Sequence, residues 1–385
     1  MWNTGLTATQ VSYYHKALAS SHIVYMRVAI IDLEHRPVVT VTDRVIDGSV
    51  SVDYYGDGAT RTLDLVLLDL NRDLGFDTTD AIDGVWFFDR MVQVWAEVFV
   101  PELGRYVDAP IFTGPVRKFK RQGPLVSFKC QGKDVFARQS WPRFTIPKGT
   151  KRVEGIRMVL RELGETKFRF EASSGAEMAE DKVIDRNMQL SPWGWCRTIA
   201  GAMGMRLFYA GDGYAVLRRI DATPVFIFRD GDGGTLLTDP DTDGNYERIS
   251  NVVRAEGMVQ ASGENPYYEA MVPESSAIHP SRLRRGGKPF YMGAVVIRES
   301  ITTEADAKYV AKEELEDRQK AAYNIRFDAL PIYTLEEGDM IGVEADGFLT
   351  SSPLDRFTID FKPDQPMTVG YQKLIKPARA RIRRV

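Results

Sequence analysis

The stretch from Val295 to Val343 changes hydrophobic period twice, which sets its element order as β-α-β-β. An apolar run at Val295 reads as a strand, and Thr302 or Thr303 then opens a helix. Thr303 can act as N-cap, Asp306 three residues on completes a capping-box pattern, and Glu304 suits the positive end of the helix dipole. Ala307, Val310, Ala311, Glu314, Leu315 and Arg318 recur at helical spacing, leaving a narrow apolar stripe of small residues. Such a helix packs on a sheet rather than inside a core. From Tyr323 the period falls to two: Tyr323, Ile325, Phe327 and Ala329 alternate with Asn324, Arg326 and Asp328 until Pro331 ends the strand. Gly338-Asp339 supplies a turn, and Met340, Ile341 and Val343 begin another strand.

Most of the chain before this segment is also β. Val11, Tyr14 and Leu18 suggest a short helix in an N-terminal arm, residues 1–22. Strands are then expected at Ile23–Ile30, Val38–Val41, Gly48–Val52, Arg61–Leu70, Met91–Val100, Ile111–Lys120 and Leu125–Gln131, with a hairpin-like break at His35-Arg36-Pro37. Leu63, Leu65 and Leu67 share one face; Val92, Val94, Ala96, Val98 and Val100 share another, opposite Trp95 and Phe99. Short strands joined by short turns make a barrel or sandwich, here residues 23–140.

Composition shifts at Trp141-Pro142, and residues 141–221 read as a small α/β insert. Thr150 is placed to cap a helix that buries Val153, Ile156, Leu160 and Leu163 and stops at Gly164. Ser191-Pro192 opens a second helix that ends at Gly204, followed by a hairpin around Ala210-Gly211-Asp212-Gly213. The β pattern resumes at Val225–Phe228 and Ile249–Ala255; residues 256–290 read as a long polar loop that is mobile or held by a partner. Phe357–Phe361 and Met367–Tyr371 close a second β domain, residues 222–375, and a basic tail occupies 376–385. The fold class is therefore mainly β with an α+β insert.

The chain has 385 residues, 50 Lys plus Arg against 53 Asp plus Glu, and a net charge of -3, so no overall field favours nucleic acid. No apolar run approaches the ~20 residues that span a bilayer, and the opening lacks a secretory pattern. Folding in a reducing cytosol is expected, with Cys130 and Cys196 as buried free thiols. His15, His22, His35 and His279 fall in no metal or triad spacing, and no nucleophile elbow, phosphate loop or dinucleotide motif is present. Gly231 to Gly234 is glycine-rich but acidic, unsuited to phosphate. The most chemical pattern is Asp239, Asp241, Asp243 and Gly244, preceded by Asp230 and Asp232. Alternate oxygens with a glycine in sixth place suit calcium, but Ser250 stands where a bidentate glutamate is needed and Glu247 comes too early, so a solvated acidic turn is the weightier reading. No catalytic or cofactor-binding residue is assigned. Basic runs at Arg117–Arg121, Arg282–Lys288 and Lys376–Arg384 read as solvated faces, with contact to an acidic protein or passing DNA as the alternative.

Four stretches taken in order resemble the baseplate hub, or minor tail protein, family of long-tailed siphovirus-type bacteriophages that infect actinobacteria. They are MWNTG…ALASSHIVYMRV; IDGSVSVDYYGDGATRTLDLVLLD; SPWGWCRTIAGAMGMRLFYAGDGYAVLRR; and NVVRAEG followed by ITTEADAKYVAKEEL and LEEGDMIGV. The start departs from the family's more usual MWP, and residues 256–290 match no pattern of it. The resemblance implies two tail-tube-like β-barrels flanking the insert, and a non-enzymatic homotrimer whose barrels form a pseudo-sixfold ring. It implies a virion protein of the tail tip, assembled in the host cytoplasm, that takes part in genome ejection. The implied partners are the distal tail or tail tube protein, the tape-measure protein C-terminus, and other minor tail or receptor-binding proteins, with DNA only as passing cargo. The alternative is a calcium-dependent carbohydrate-binding or cell-wall-hydrolysing β protein at the host envelope.

Overall fold

A computed structural model describes residues 1–373 apart from 3, 21–22, 57, 72–89, 173–176, 179, 189, 232, 245–246, 248, 258–264, 299–300, 302–303, 321–322, 346–347 and 363. It divides into two compact units, Met1–Asp239 with Phe327–Gly370, and Pro240–Arg326 with Tyr371–Val385.

The first unit opens with α1 (Ala8–Leu18). The Thr7 hydroxyl accepts from the Gln10 amide while the Gln10 side chain accepts from the Thr7 amide, a capping box that the sequence reading did not single out. Tyr14, Ala17 and Leu18 are buried, so two of the three residues expected on its apolar face carry the packing. Then follow β1 (Val24–Asp32), β2 (Pro37–Thr40), β3 (Val45–Asp53), β4 (Arg61–Leu68), β5 (Arg90–Val100), β6 (Arg105–Gln122) and β7 (Leu125–Gln131). Each expected strand is present, and the alternation of β5 holds along its length, with Val92, Val94, Ala96, Val98 and Val100 fully buried.

β6 is longer than its sequence pattern because it turns a corner. Its first part pairs with β5 and its second with β7, with bulges opposite Val94/Trp95 and at Val116/Lys118. Gly114 sits at that corner, where a Cβ would lie 1.9 Å from the Gln131 carbonyl oxygen, so no side chain is tolerated there.

After α2 (Asp134–Gln139), the insert comprises β8 (Phe144–Ile146), α3 (Arg152–Glu162), β9 (Phe168–Phe170), β10 (Lys182–Ile184), α4 (Pro192–Ala202), β11 (Met205–Tyr209) and β12 (Ala215–Arg219). It has its own apolar core, with Trp193 stacked on Tyr209 and packed with Ile156, Leu160, Cys196 and Leu217. Ser191 caps α4 through the Gly194 amide as expected. Thr150 does not cap α3: Lys151 holds the N-cap position without a side-chain bond, because the Thr150 amide closes a turn onto Pro147. β13 (Phe226–Arg229) ends this part.

The second unit contains β14 (Asp241–Gly244), β15 (Val252–Glu256), β16 (Tyr267–Met271), the two-residue strands β17 (Arg284–Arg285) and β18 (Lys288–Pro289), β19 (Gly293–Ile297) and α5 (Glu304–Lys320). The proposed cap Thr303 lies outside the described residues. Ala307, Val310, Ala311 and Leu315 of α5 pack against Val253, Ala255, Ala270 and Val272, so the narrow stripe does lie on a sheet, ordered β16-β15-β19. Residues 265–290 are not the structureless loop expected. β16 pairs with β15, and the buried Asn251 amide donates to the carbonyls of Ile278 and Phe290 at 2.9 and 2.8 Å while accepting from the Met292 amide at 2.7 Å. One side chain thus does what a ladder of periodic residues does elsewhere, and this leaves no repeat in the sequence.

β20 (Tyr323–Ala329) leads back into the first unit, where β21 (Met340–Ala345), β22 (Phe348–Pro353), β23 (Arg356–Asp360) and β24 (Met367–Lys373) follow. β23 pairs with β24 and with β3, so the first unit's main sheet runs β24-β23-β3-β4-β7-β6-β5-β1-β2, antiparallel at each pairing from β23 onward. The order is open, and no closed barrel is present among the described residues. β13 pairs in parallel with β21, which pairs with β22.

Candidate functional site

Asp239, Asp241 and Asp243 are exposed. The last two lie on β14 opposite Arg326 and Asn324, and Gly244 continues the ladder opposite Tyr323. The segment is therefore a strand and not the expected acidic turn, because pairing with β20 overrides local turn preference; the sharp bend of a calcium loop is missing at Gly244. Asp232 lies outside the described residues, among which no group of three or more His, Cys, Asp or Glu could hold a metal ion. His15 packs edge-on against Phe226, and His279 shares a hydrogen bond with Ser281 in a turn. His22 and the basic tail lie outside the described residues. Cys130 and Cys196 are buried free thiols whose pKa burial pushes up. Arg117 to Lys120 lie on the exposed end of β6.

The sequence reading missed a cluster of buried charges in the first unit. Arg61 is 2 % exposed; it donates to the Ile111 carbonyl at 2.6 Å and to Glu336. The second oxygen of Glu336 accepts from the Gly211 amide at 3.0 Å, and its own amide donates to Asp339 at 2.7 Å. Asp339 also accepts from Arg218 at 2.7 Å and from the Met1 amino group. Arg206 donates to Asp355 at 2.8 Å. Arginines from β4, β11 and β12 thus clamp the wholly buried segment 331–339 and the start of β23. Gly211 is required at this junction, since a Cβ there would lie 2.1 Å from the Pro110 carbonyl oxygen.

Glu337 sits among these charges, fully buried, and among the described residues neither carboxylate oxygen has a hydrogen-bond partner. Burial pushes its pKa up to about 8, against the pull of Arg61 and with added push from Glu336 and Asp134. A buried ionic cluster is weak evidence for stability, but loss of one partner leaves an uncompensated buried charge, which is strongly destabilising. Its chemical capacity is that of a rigid joint: it fixes a wall strand, the insert hairpin and the returning chain. A signal for it exists in the sequence, since Arg61 stands in phase with Leu63, Leu65 and Leu67 on the inward face.

Two neighbouring cavities, of 380 and 470 Å³, open beside the junction and share Trp2 and Arg169 in their walls. The smaller is lined by Phe170, Phe208, Arg218 and Glu336; the larger by His35, Gln93, Trp95, Lys167, Asp212 and Tyr214. Arg169 pairs with Asp212 and lies over the rings of Trp2 and Tyr214 at 5.2 and 4.8 Å.

A scan against protein-family models finds no match, and a search of curated proteins finds none. Solved structures do match. A 43 kDa tail protein of prophage MuSo2 from Shewanella oneidensis aligns over 92% of this chain and 99% of its own, with TM-score 0.62 and 11% identity. A tail protein from Neisseria meningitidis MC58 aligns over 92% and 98%, with TM-score 0.59 and 13% identity. Prophage tail protein gp18 from Listeria monocytogenes EGD-e aligns over 91% and 95%, with TM-score 0.50 and 10% identity. At these identities the likeness is one of fold, and it runs nearly end to end: the chain has the fold of phage tail proteins.

Proposed function

We propose that this chain is a structural hub of a bacteriophage tail tip, of the kind found in siphovirus-type phages of actinobacteria. The observation that carries the reading is the shared fold over 92% of this chain and 99% of a tail protein of the same mass. The four ordered stretches of the sequence that resemble minor tail proteins support it independently. In this reading three copies form a pseudo-sixfold ring of tube-like β modules, residues 23–140 and 222–375, around a channel for DNA. The insert, 141–221, lies between the two modules in the chain, which joins the tail tube and the tape-measure protein to other tip proteins. The protein acts by shape, without catalysis.

The test is location. Gold-labelled antibody against the chain, applied to intact particles of the phage that encodes it, is expected to mark the tail end distal to the capsid. Absence of the chain from purified particles, with release of sugar or peptide from cell wall by the isolated protein, would overturn the reading.

A further inference from the structure

His35 is the only residue other than glycine with a positive φ among the described residues, at 68°. Histidine is among the residue types that accept this conformation, and here it closes the β1–β2 hairpin: the His35 amide donates to the Asp32 carbonyl and the Asp32 amide to the Arg36 carbonyl, each at 3.0 Å. The His35 side chain enters the wall of the 470 Å³ cavity. Behind it the buried Lys133 ammonium spends its three hydrogens on Glu165 at 2.7 Å, the Gly213 carbonyl at 3.1 Å and His35 Nε2 at 3.1 Å. Nε2 therefore accepts, and the ring proton stands on Nδ1, for which no described residue is a partner. Burial and the charges of Lys133 and Lys167 push the His35 pKa down to about 3, so the ring is neutral in this role.

In the same cavity, no carboxylate of a described residue pairs with the Lys167 ammonium, which lies 5.6 Å from the Tyr214 ring centroid. Arg169 is already neutralised by Asp212, and Lys133 by Glu165. One positive charge is thus left over, beside a neutral N–H donor and the Gln93 amide, which reaches Thr113 at 3.3 Å. Trp2, Trp95 and Tyr214 complete the wall. Arg169 already covers one face of Trp2 and Arg27 lies over Trp95 at 5.1 Å, which disfavours stacking of a neutral sugar ring.

We infer that this cavity is a binding site for a singly charged oxyanion, a carboxylate or a phosphodiester, held by Lys167 with His35 Nδ1–H as second donor. A single unpaired cation balances a monoanion and leaves a dianion in excess. The site does not depend on the tail-hub reading.

Titration of the full chain with benzoate, with dimethyl phosphate and with uncharged benzyl alcohol tests it, followed by the His35 imidazole resonances and tryptophan fluorescence. Saturable binding of benzoate or dimethyl phosphate is expected, weakening with added salt, and whichever saturates identifies the source of the oxyanion. The partly exposed Lys167 can be exchanged without disturbing the core. Lys167→Gln is expected to weaken binding by roughly tenfold or more, and Lys167→Arg to retain it. No saturable response to either anion, equal binding of benzyl alcohol, or unchanged affinity in Lys167→Gln would each overturn the inference.

Discussion

Arg61 is the residue on which the first unit's buried charges turn. Its exchange for Met leaves Glu336 buried without its cation, at an expected cost of ~3–5 kcal/mol, whereas Arg61→Met with Glu336→Leu should recover most of that loss. Denaturant midpoints of the two variants check this; equal losses would mean that the pair is not coupled. Glu337 makes a prediction of opposite kind. Its folded pKa of about 8 lies above the unfolded value near ~4.3, so the unfolded chain releases its proton first as pH rises. Stability contributed by the neutral carboxyl is complete below ~pH 4 and is lost progressively until about pH 8. Glu337→Gln should therefore match the parent near pH 4 and exceed it in stability at pH 8, with a flatter profile between; parallel profiles would contradict the assignment. Gly211→Ala, which forces a methyl into the Pro110 carbonyl, should destabilise by about 2 kcal/mol or more through displaced backbone. The periodicity of β4 placed Arg61 on the inward face, but a partner from 275 residues away is invisible in one sequence, so the junction could be suspected and not assembled.

At the scale of elements, legibility followed periodicity. β5 and α5 were readable because each buries one face at a fixed repeat, and α4 because Ser191-Pro192 carries its own start signal. β22 was missed: Phe348 to Pro353 has little alternation and exists because β21 pairs with it. β14 was read as a turn for the same reason, and β16 was lost in polar sequence that Asn251 holds in place. The acidic calcium candidates illustrate the limit, since Asp241 and Asp243 form a spacing that suits a loop yet sit on a strand. Element-scale energetics are testable in α5, where Leu315 is 6 % exposed against the sheet: Leu315→Ala should cost ~2–4 kcal/mol in unfolding free energy, and Glu316→Ala, on the outer face, well under 1 kcal/mol. Similar losses from both would mean that the helix does not pack as described.

For the whole molecule, a fold shared end to end with phage tail proteins joins a sequence whose ordered stretches resemble minor tail proteins. The long strands β5 and β6 are each paired on both sides within the chain, and the sheet ends at the short β2, which begins at Pro37. The open strand order is compatible with the proposed ring of copies. The most direct measurement is an averaged density of the tail end of the particle that carries this protein. Three copies of the chain are expected around the tail axis, their β modules forming a pseudo-sixfold ring continuous with the tube. A different copy number, a position away from the axis, or no density for the chain would contradict it.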